Sequence, residues 1–185
     1  MTNTRKVSPV VQVVAIGIGA ALFFVLGRFV AIPSPVPNTT ISLQYAVLAV
    51  FAVLYGPVVG ALSGFIGHIL IDATWGIWIS WEISSGIFGL ILGAIMIGNR
   101  VREGDFGTKT MIRFNVGVVI AHAISWLLIA PIGDILIYSE PANKVFTQGA
   151  FAFASNVIIT CVLGTIILAL YARTRTSSGS LRQED

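Results

Sequence analysis

The residues in this sequence best equipped for chemistry are His68 and Asp72. They stand four apart in Gly64-Phe65-Ile66-Gly67-His68-Ile69-Leu70-Ile71-Asp72. A helix repeats every ~3.6 residues, so both fall on one face, with Gly64 a turn earlier on the same stripe. The surrounding sequence is apolar enough to lie in lipid. An ionisable group at the centre of a bilayer costs about 2.5 kcal/mol or more, so such residues face a protein interior or a water-filled cavity. This face is therefore expected to line a binding cavity near the outer surface of a membrane protein. His122, four residues before Trp126, is the other imidazole. With His68 and Asp72 it could offer zinc two nitrogens and a carboxylate, but the spacing matches no zinc motif. Nothing around Ser63 resembles Gly-x-Ser-x-Gly, and Gly104 to Thr110 lacks the P-loop pattern. No catalytic or metal-ligating set is assigned, and any active transport would need an ATPase on another chain.

Composition tells what must position these groups. The 185 residues are 56% hydrophobic and only 10% charged, with a mean hydropathy of +0.90. Soluble domains carry about 25% charge. Too little polar surface is left to cover a water-soluble globule, which makes this an all-α integral membrane protein with one compact bundle. A pI near 9.4 does not imply nucleic-acid binding, because the basic residues gather at a few hydrophilic breaks and form no stripe. The single cysteine, Cys161, rules out an internal disulfide.

Six apolar segments follow one another: about Val10–Ile32, Ser42–Leu54, Val58–Asp72, Ile83–Gly98, Ile112–Ile137 and Gln148–Ala172. The first is too long for a signal-peptide core of ~7–15 residues and reads as a retained helix. It carries two small-xxx-small pairs, Ala15/Gly19 and Gly17/Ala21, spaced to let another helix approach closely. Three prolines in Pro33 to Pro37 make the next loop stiff. Segments two and three are short for a ~30 Å hydrocarbon core. Between Asp72 and Glu82 an aromatic loop places Trp75, Trp78 and Trp81 three apart, as an interfacial belt or as a stacking wall over a ring-bearing ligand. Gly86, Gly89 and Gly93 predict a closely packing face on segment four. Pro131-Ile132-Gly133 is a candidate break in segment five.

The domain reading is a cytoplasmic amino terminus over 1–9, a six-helix transmembrane domain over 10–172 and a cytoplasmic tail over 173–185. It rests on the positive-inside rule. The amino terminus, the 99–113 break and the tail hold nine of the Lys and Arg residues, against only Arg28 and Lys144 on the opposite side. His68, Asp72, Trp126 and Asn156 then share the outer half, from three separate segments.

Six short helices, a small-residue first helix, an ordered first outer loop and no nucleotide site resemble the substrate-binding S-component of an energy-coupling factor (ECF) vitamin transporter. Pro37-Asn38-Thr39, Gln44-Tyr45-Ala46, Tyr55-Gly56-Pro57 and Gly64-Phe65-Ile66-Gly67-His68 with Asp72 carry the likeness most specifically. Within the family they look closest to the cobalamin-specific S-components of lactobacilli. The resemblance implies a non-catalytic subunit of an ABC-type importer in the bacterial cell membrane. It would bind cobalamin (vitamin B12) outside with no permanent cofactor, then topple against a transmembrane coupling subunit (EcfT) driven by two ATPases (EcfA and EcfA') that use ATP and magnesium. Asn38, Thr39, Gln44, Tyr45, His68, Asp72 and Asn156 would meet the amide arms of a corrin, and Trp75, Trp78, Trp81 and Trp126 its apolar faces. Docking would use Ala15/Gly19 or Gly17/Ala21. His68 or His122 as a cobalt ligand is a further possibility. The alternatives are a smaller vitamin (thiamine, its pyrimidine precursor or pantothenate), a membrane enzyme using His68, Asp72 and His122, or a purely structural subunit.

Overall fold

The computed structural model describes residues 7–175. Its helices are α1 (Pro9–Phe29), α2 (Gln44–Tyr55), α3 (Pro57–Asp72), α4 (Ile79–Ile95), α5 (Thr108–Tyr138) and α6 (Ala142–Arg173). Three of them, α1, α5 and α6, are long and apolar enough to cross a membrane. The other three run for 12, 16 and 17 residues. The basic residues Arg5 and Lys6, and most of the tail expected to be cytoplasmic, lie outside the described residues.

Helix α1 opens on Ser8, whose hydroxyl accepts from the Val11 amide at 3.3 Å, with Pro9 in the first turn. It ends at Phe29, short of the expected Ile32, because the chain turns into a hairpin. Ile32–Pro33 pairs antiparallel with Thr40–Ile41. At the tip the Thr39 amide donates to the Val36 carbonyl at 3.2 Å, across Pro37 and an Asn38 with φ 59°. Proline followed by a residue of positive φ is the type II turn pattern. The Ser34 hydroxyl bonds the Thr39 hydroxyl and accepts from the Val36 amide, so the stiff loop is a folded one.

Helix α3 lies between α1 and α4. Its glycines set that distance. A methyl group on Gly64 would sit 2.5 Å from the Ser85 carbonyl oxygen, and one on Gly60 would sit 2.6 Å from that of Gly89. Gly64 therefore serves the α3–α4 contact rather than a cavity. The first pair of small residues on α1 is spent in the same way, since Ala15 and Gly19 are buried and a methyl group on Gly19 would meet the Ser63 hydroxyl.

Three helices start four or more residues earlier than the sequence reading has them. Helix α4 begins at Ile79 rather than Ile83, because the Ile79 amide finds the Tyr138 hydroxyl at 2.9 Å; Trp81 and Glu82 are thus helical, not in a loop. Helix α5 begins at Thr108 rather than Ile112 and passes through Pro131-Ile132-Gly133 without a break. Proline there lacks the amide that would bond the carbonyl four residues back, and the turns just before it widen to a π-helix over Ile124–Ile129. Helix α6 starts at Ala142, six residues before the expected Gln148, after a turn in which Ser139 takes φ 55°. It has its own π-helical turn at Thr160–Gly164. Phe23, Leu48, Phe88, Leu92, Phe114 and Trp126 fill the centre of the bundle.

Candidate functional site

At one end of the bundle the carboxyl ends of α1 and α3, the amino ends of α2, α4 and α6, and the hairpin surround a cavity of about 720 Å³. All eleven residues singled out for substrate contact border it: Asn38, Thr39, Gln44, Tyr45, His68, Asp72, Trp75, Trp78, Trp81, Trp126 and Asn156. They come from the hairpin and from helices α2 to α6, with Trp75 and Trp78 in the loop between α3 and α4. Sequence reasoning missed Arg28, Ser42, Lys144 and Gln148, which also border it. The two cations were counted only toward orientation, although a charge at a helix end on the poorly charged side was a usable signal. Gln148 gave none, since its role is to donate to the Pro37 carbonyl at 2.8 Å across 111 residues of chain.

The aromatic wall is built on a residue that carried no expectation. Asp134, on α5 and 2% exposed, accepts from the Trp78 indole at 2.8 Å, from the Trp81 indole at 2.9 Å and from the Ser80 hydroxyl. Indole N–H groups can only donate, so one buried carboxylate fixes both rings. Trp78 also stacks on Tyr138 with centroids 4.2 Å apart, and Trp81 meets Trp126 at 5.1 Å. Trp75 differs: it is 74% exposed, and the Arg28 guanidinium lies 4.8 Å from its ring centroid while donating to the Thr74 hydroxyl at 3.0 Å.

Behind the rings a polar chain runs through the core. Ser85 Oγ stands 2.7 Å from the Tyr45 hydroxyl and 2.5 Å from His68 Nδ1. The close α3–α4 approach at Gly64 makes that contact possible. His68 Nε2 is 3.8 Å from Asp72. Trp126 donates to His122 Nδ1 at 3.0 Å, so the proton of a neutral ring sits on Nε2, 3.2 Å from the Thr160 hydroxyl. His122 is fully buried, stacked on Phe88, and does not border the cavity. With both nitrogens engaged it holds Trp126 in place and joins neither a metal site nor a triad with His68 and Asp72. Among the described residues no group of three or more His, Cys, Asp or Glu is placed to hold a metal ion.

A family model for the ECF-type riboflavin transporter S component matches residues 8–173. The chain belongs to this family. As an S component it is a non-catalytic, substrate-binding subunit of a membrane transporter that works with a coupling subunit and ATPases. Its relatives include the UPF0397 protein of Streptococcus gordonii, 53% identical over 94% of each chain. That of Lactococcus lactis subsp. cremoris is also 53% identical, over 98% of each. The UPF0397 protein of Lactobacillus johnsonii is 50% identical over 98% of this chain and all of the relative. Among solved structures, that of FolT bound with folic acid aligns with a TM-score of 0.62, covering 85% of this chain and 96% of FolT at 15% identity. At that identity the likeness is one of fold.

The fold of this S component also separates the two small-residue pairs of α1. Ala15 and Gly19 are used up against α3, whereas Gly17 has nothing within 4 Å of an added methyl group and Ala21 is exposed. Val10, Val13, Val14 and Ile18 on the same helix are more than half exposed.

Proposed function

We propose that this S component captures cobalamin from outside the cell and delivers it inward by toppling against its coupling subunit, while partner ATPases hydrolyse ATP. The observation that carries this reading is the shared cavity, bordered both by the side-chain amides and hydroxyls of Asn38, Thr39, Gln44 and Asn156 and by the indoles of Trp78, Trp81 and Trp126. A corrin needs this mixture: mixed donors and acceptors for its amide arms, apolar faces for its ring. The corrin would seat one face on the indoles and leave its remaining bulk in the mouth. Among the described residues the cavity end carries Arg28 and Lys144, and the 99–113 break with the end of α6 carries Arg100, Arg102, Lys109, Arg113, Arg173 and Arg175, so the positive-inside rule supports an outward mouth, six spans and cytoplasmic termini. For docking, Gly17/Ala21 is the pair we assign, because Ala15/Gly19 already serves the bundle.

One observation favours a second reading. At about 720 Å³ the cavity lies within the ~300–1,000 Å³ of ordinary small-molecule sites, a size that engulfs thiamine, its pyrimidine precursor, pantothenate or a folate.

Calorimetric titration of the purified, detergent-solubilised chain with cyanocobalamin, folate, thiamine and pantothenate separates the two. Saturable, one-to-one binding of cyanocobalamin alone is the expected result. Binding of a smaller vitamin instead transfers the site to the second reading, and folded protein that binds none overturns both. Replacing Gly17 by Leu is expected to prevent assembly with the coupling subunit while leaving vitamin binding intact.

A further inference from the structure

One acidic group in the bundle takes part in none of these contacts. Glu82, on the first turn of α4, is fully buried, and neither carboxylate oxygen has a hydrogen-bond partner. Unlike Asp134, which takes three donors, it takes none. A buried carboxylate without donors is expensive in a protein interior and more so within lipid, so it persists where something outside the chain completes it. Its neighbour is Asp72, which borders the cavity; the two carboxyl groups approach each other beside the Trp78 backbone. Two acids thus stand one behind the other at the cavity wall.

The groups facing them do not neutralise the pair. On α3, His68 commits Nδ1 to Ser85 and holds Nε2 3.8 Å from Asp72, beyond a hydrogen bond. On α1, Arg28 lies over Trp75 and donates to Thr74. On α6, Lys144 pairs with Glu140 at 2.7 Å. On α5, Asp134 is a third acid, and its donors are indoles and a serine. On α2, the Tyr45 hydroxyl is taken by Ser85. The cavity is therefore donor-poor and acceptor-rich at this wall, though two cations border it elsewhere.

We propose that the Asp72–Glu82 pair selects a nitrogen hydrogen-bond donor on the substrate, a primary amide, an amino-heterocycle or an ammonium group, and rejects a carboxylate at that position. Asp72 makes the contact, and Glu82 is a positioning residue that supplies negative potential from behind it. The inference rests on the cavity being the substrate site. It deepens that reading by stating which end of the substrate enters first: a corrin would point an amide arm at Asp72, and thiamine its aminopyrimidine.

The test compares cyanocobalamin with its monocarboxylic acid derivatives, in which one side-arm amide is hydrolysed, and thiamine with pantothenate, by calorimetry on the wild type and on Glu82→Gln, Glu82→Asp and Asp72→Asn. Hydrogen bonds to a charged group are worth about 1.5–3 kcal/mol, roughly 10- to 100-fold in Kd. The wild type is expected to prefer the amide over at least one of its carboxylate derivatives, or thiamine over pantothenate, by at least about tenfold. Asp72→Asn and Glu82→Gln should weaken the donor ligand and shrink that preference, and Glu82→Asp, which keeps the charge, should retain it. Loss of a merely structural group would not alter selectivity between cyanocobalamin and its monocarboxylic acids, which are nearly equal in shape. Equal preference in the wild type and Glu82→Gln, with both proteins binding, overturns this inference and leaves the proposed function standing. If the wild type binds no vitamin, the proposed function fails first and the inference with it.

Discussion

Trp75 and Trp78 are three residues apart, of one type, and border the same cavity, yet the protein treats them in opposite ways. Trp78 is half-buried, stacked on Tyr138 and hydrogen-bonded to Asp134. Trp75 stands in solvent with only the Arg28 guanidinium against it. The difference extends to the walls they belong to. The α4–α5 wall is pinned by a buried carboxylate and by stacked rings. The opposite rim, made of the end of α1, the hairpin and the loop after α3, is held by a few surface bonds, among them Gln148 to Pro37 and Arg28 to Thr74. A preformed wall loses little conformational entropy when a flat ligand settles on it, while a loosely held rim can close after entry. The proposed binding cavity thus has one firmly built side and one loosely held side.

Four substitutions would break or sharpen this contrast. The largest effect is expected for Asp134→Ala, which strands two indole donors and a serine hydroxyl; about 3 kcal/mol of stability should be lost, together with vitamin binding, as read by thermal unfolding and calorimetry. A variant as stable as the wild type would mean the wall is not held by its carboxylate. Next is Trp126→Phe, which keeps a ring but removes the donor to His122, and about 1–2 kcal/mol of stability should go with it. Gln148→Ala cuts the hairpin free of α6. Its cost in stability should be about 1 kcal/mol, and its signature is faster vitamin release in stopped-flow measurements, with little change in entry. A release rate equal to the wild type would show that the rim does not retain the ligand. The smallest effect belongs to Trp75→Ala, within about 0.5 kcal/mol of wild-type stability, as for other exposed positions. If its unfolding temperature fell as far as that of Asp134→Ala, the two walls would not differ as described.

Much of the cavity lining was legible because its residue types are rare where they stand. A histidine, an aspartate, an asparagine and a tryptophan inside apolar segments are each conspicuous, and helical spacing with segment order brings them to one depth. Asp134 is equally conspicuous by type, but no role is assigned to it from the sequence. Its task depends on α4 lying against α5, a contact between residues more than fifty positions apart that no local pattern records. Glu82 was placed in a loop for a related reason: the start of α4 is set by a hydroxyl from Tyr138, far away in sequence. The hairpin was hidden because two-residue strands leave no periodicity to read, though Pro37-Asn38 carried its turn. The uninterrupted α5 shows the same limit from the other side, since proline signals a missing bond but not whether the helix absorbs it.

What the sequence determined alone is the solvent and the class of fold. Charge at 10% and 56% hydrophobic residues permit burial in lipid and little else, and glycine stripes demand close helices. Tertiary structure alone decided which small-residue pair of α1 is spent inside the bundle and which remains open, which tryptophans are locked and which is free, and that Glu82 is left without a donor. These outcomes depend on which helix faces which. The free energy that settles them comes from packing and hydrogen bonds between distant segments, where neighbours along the chain carry no information.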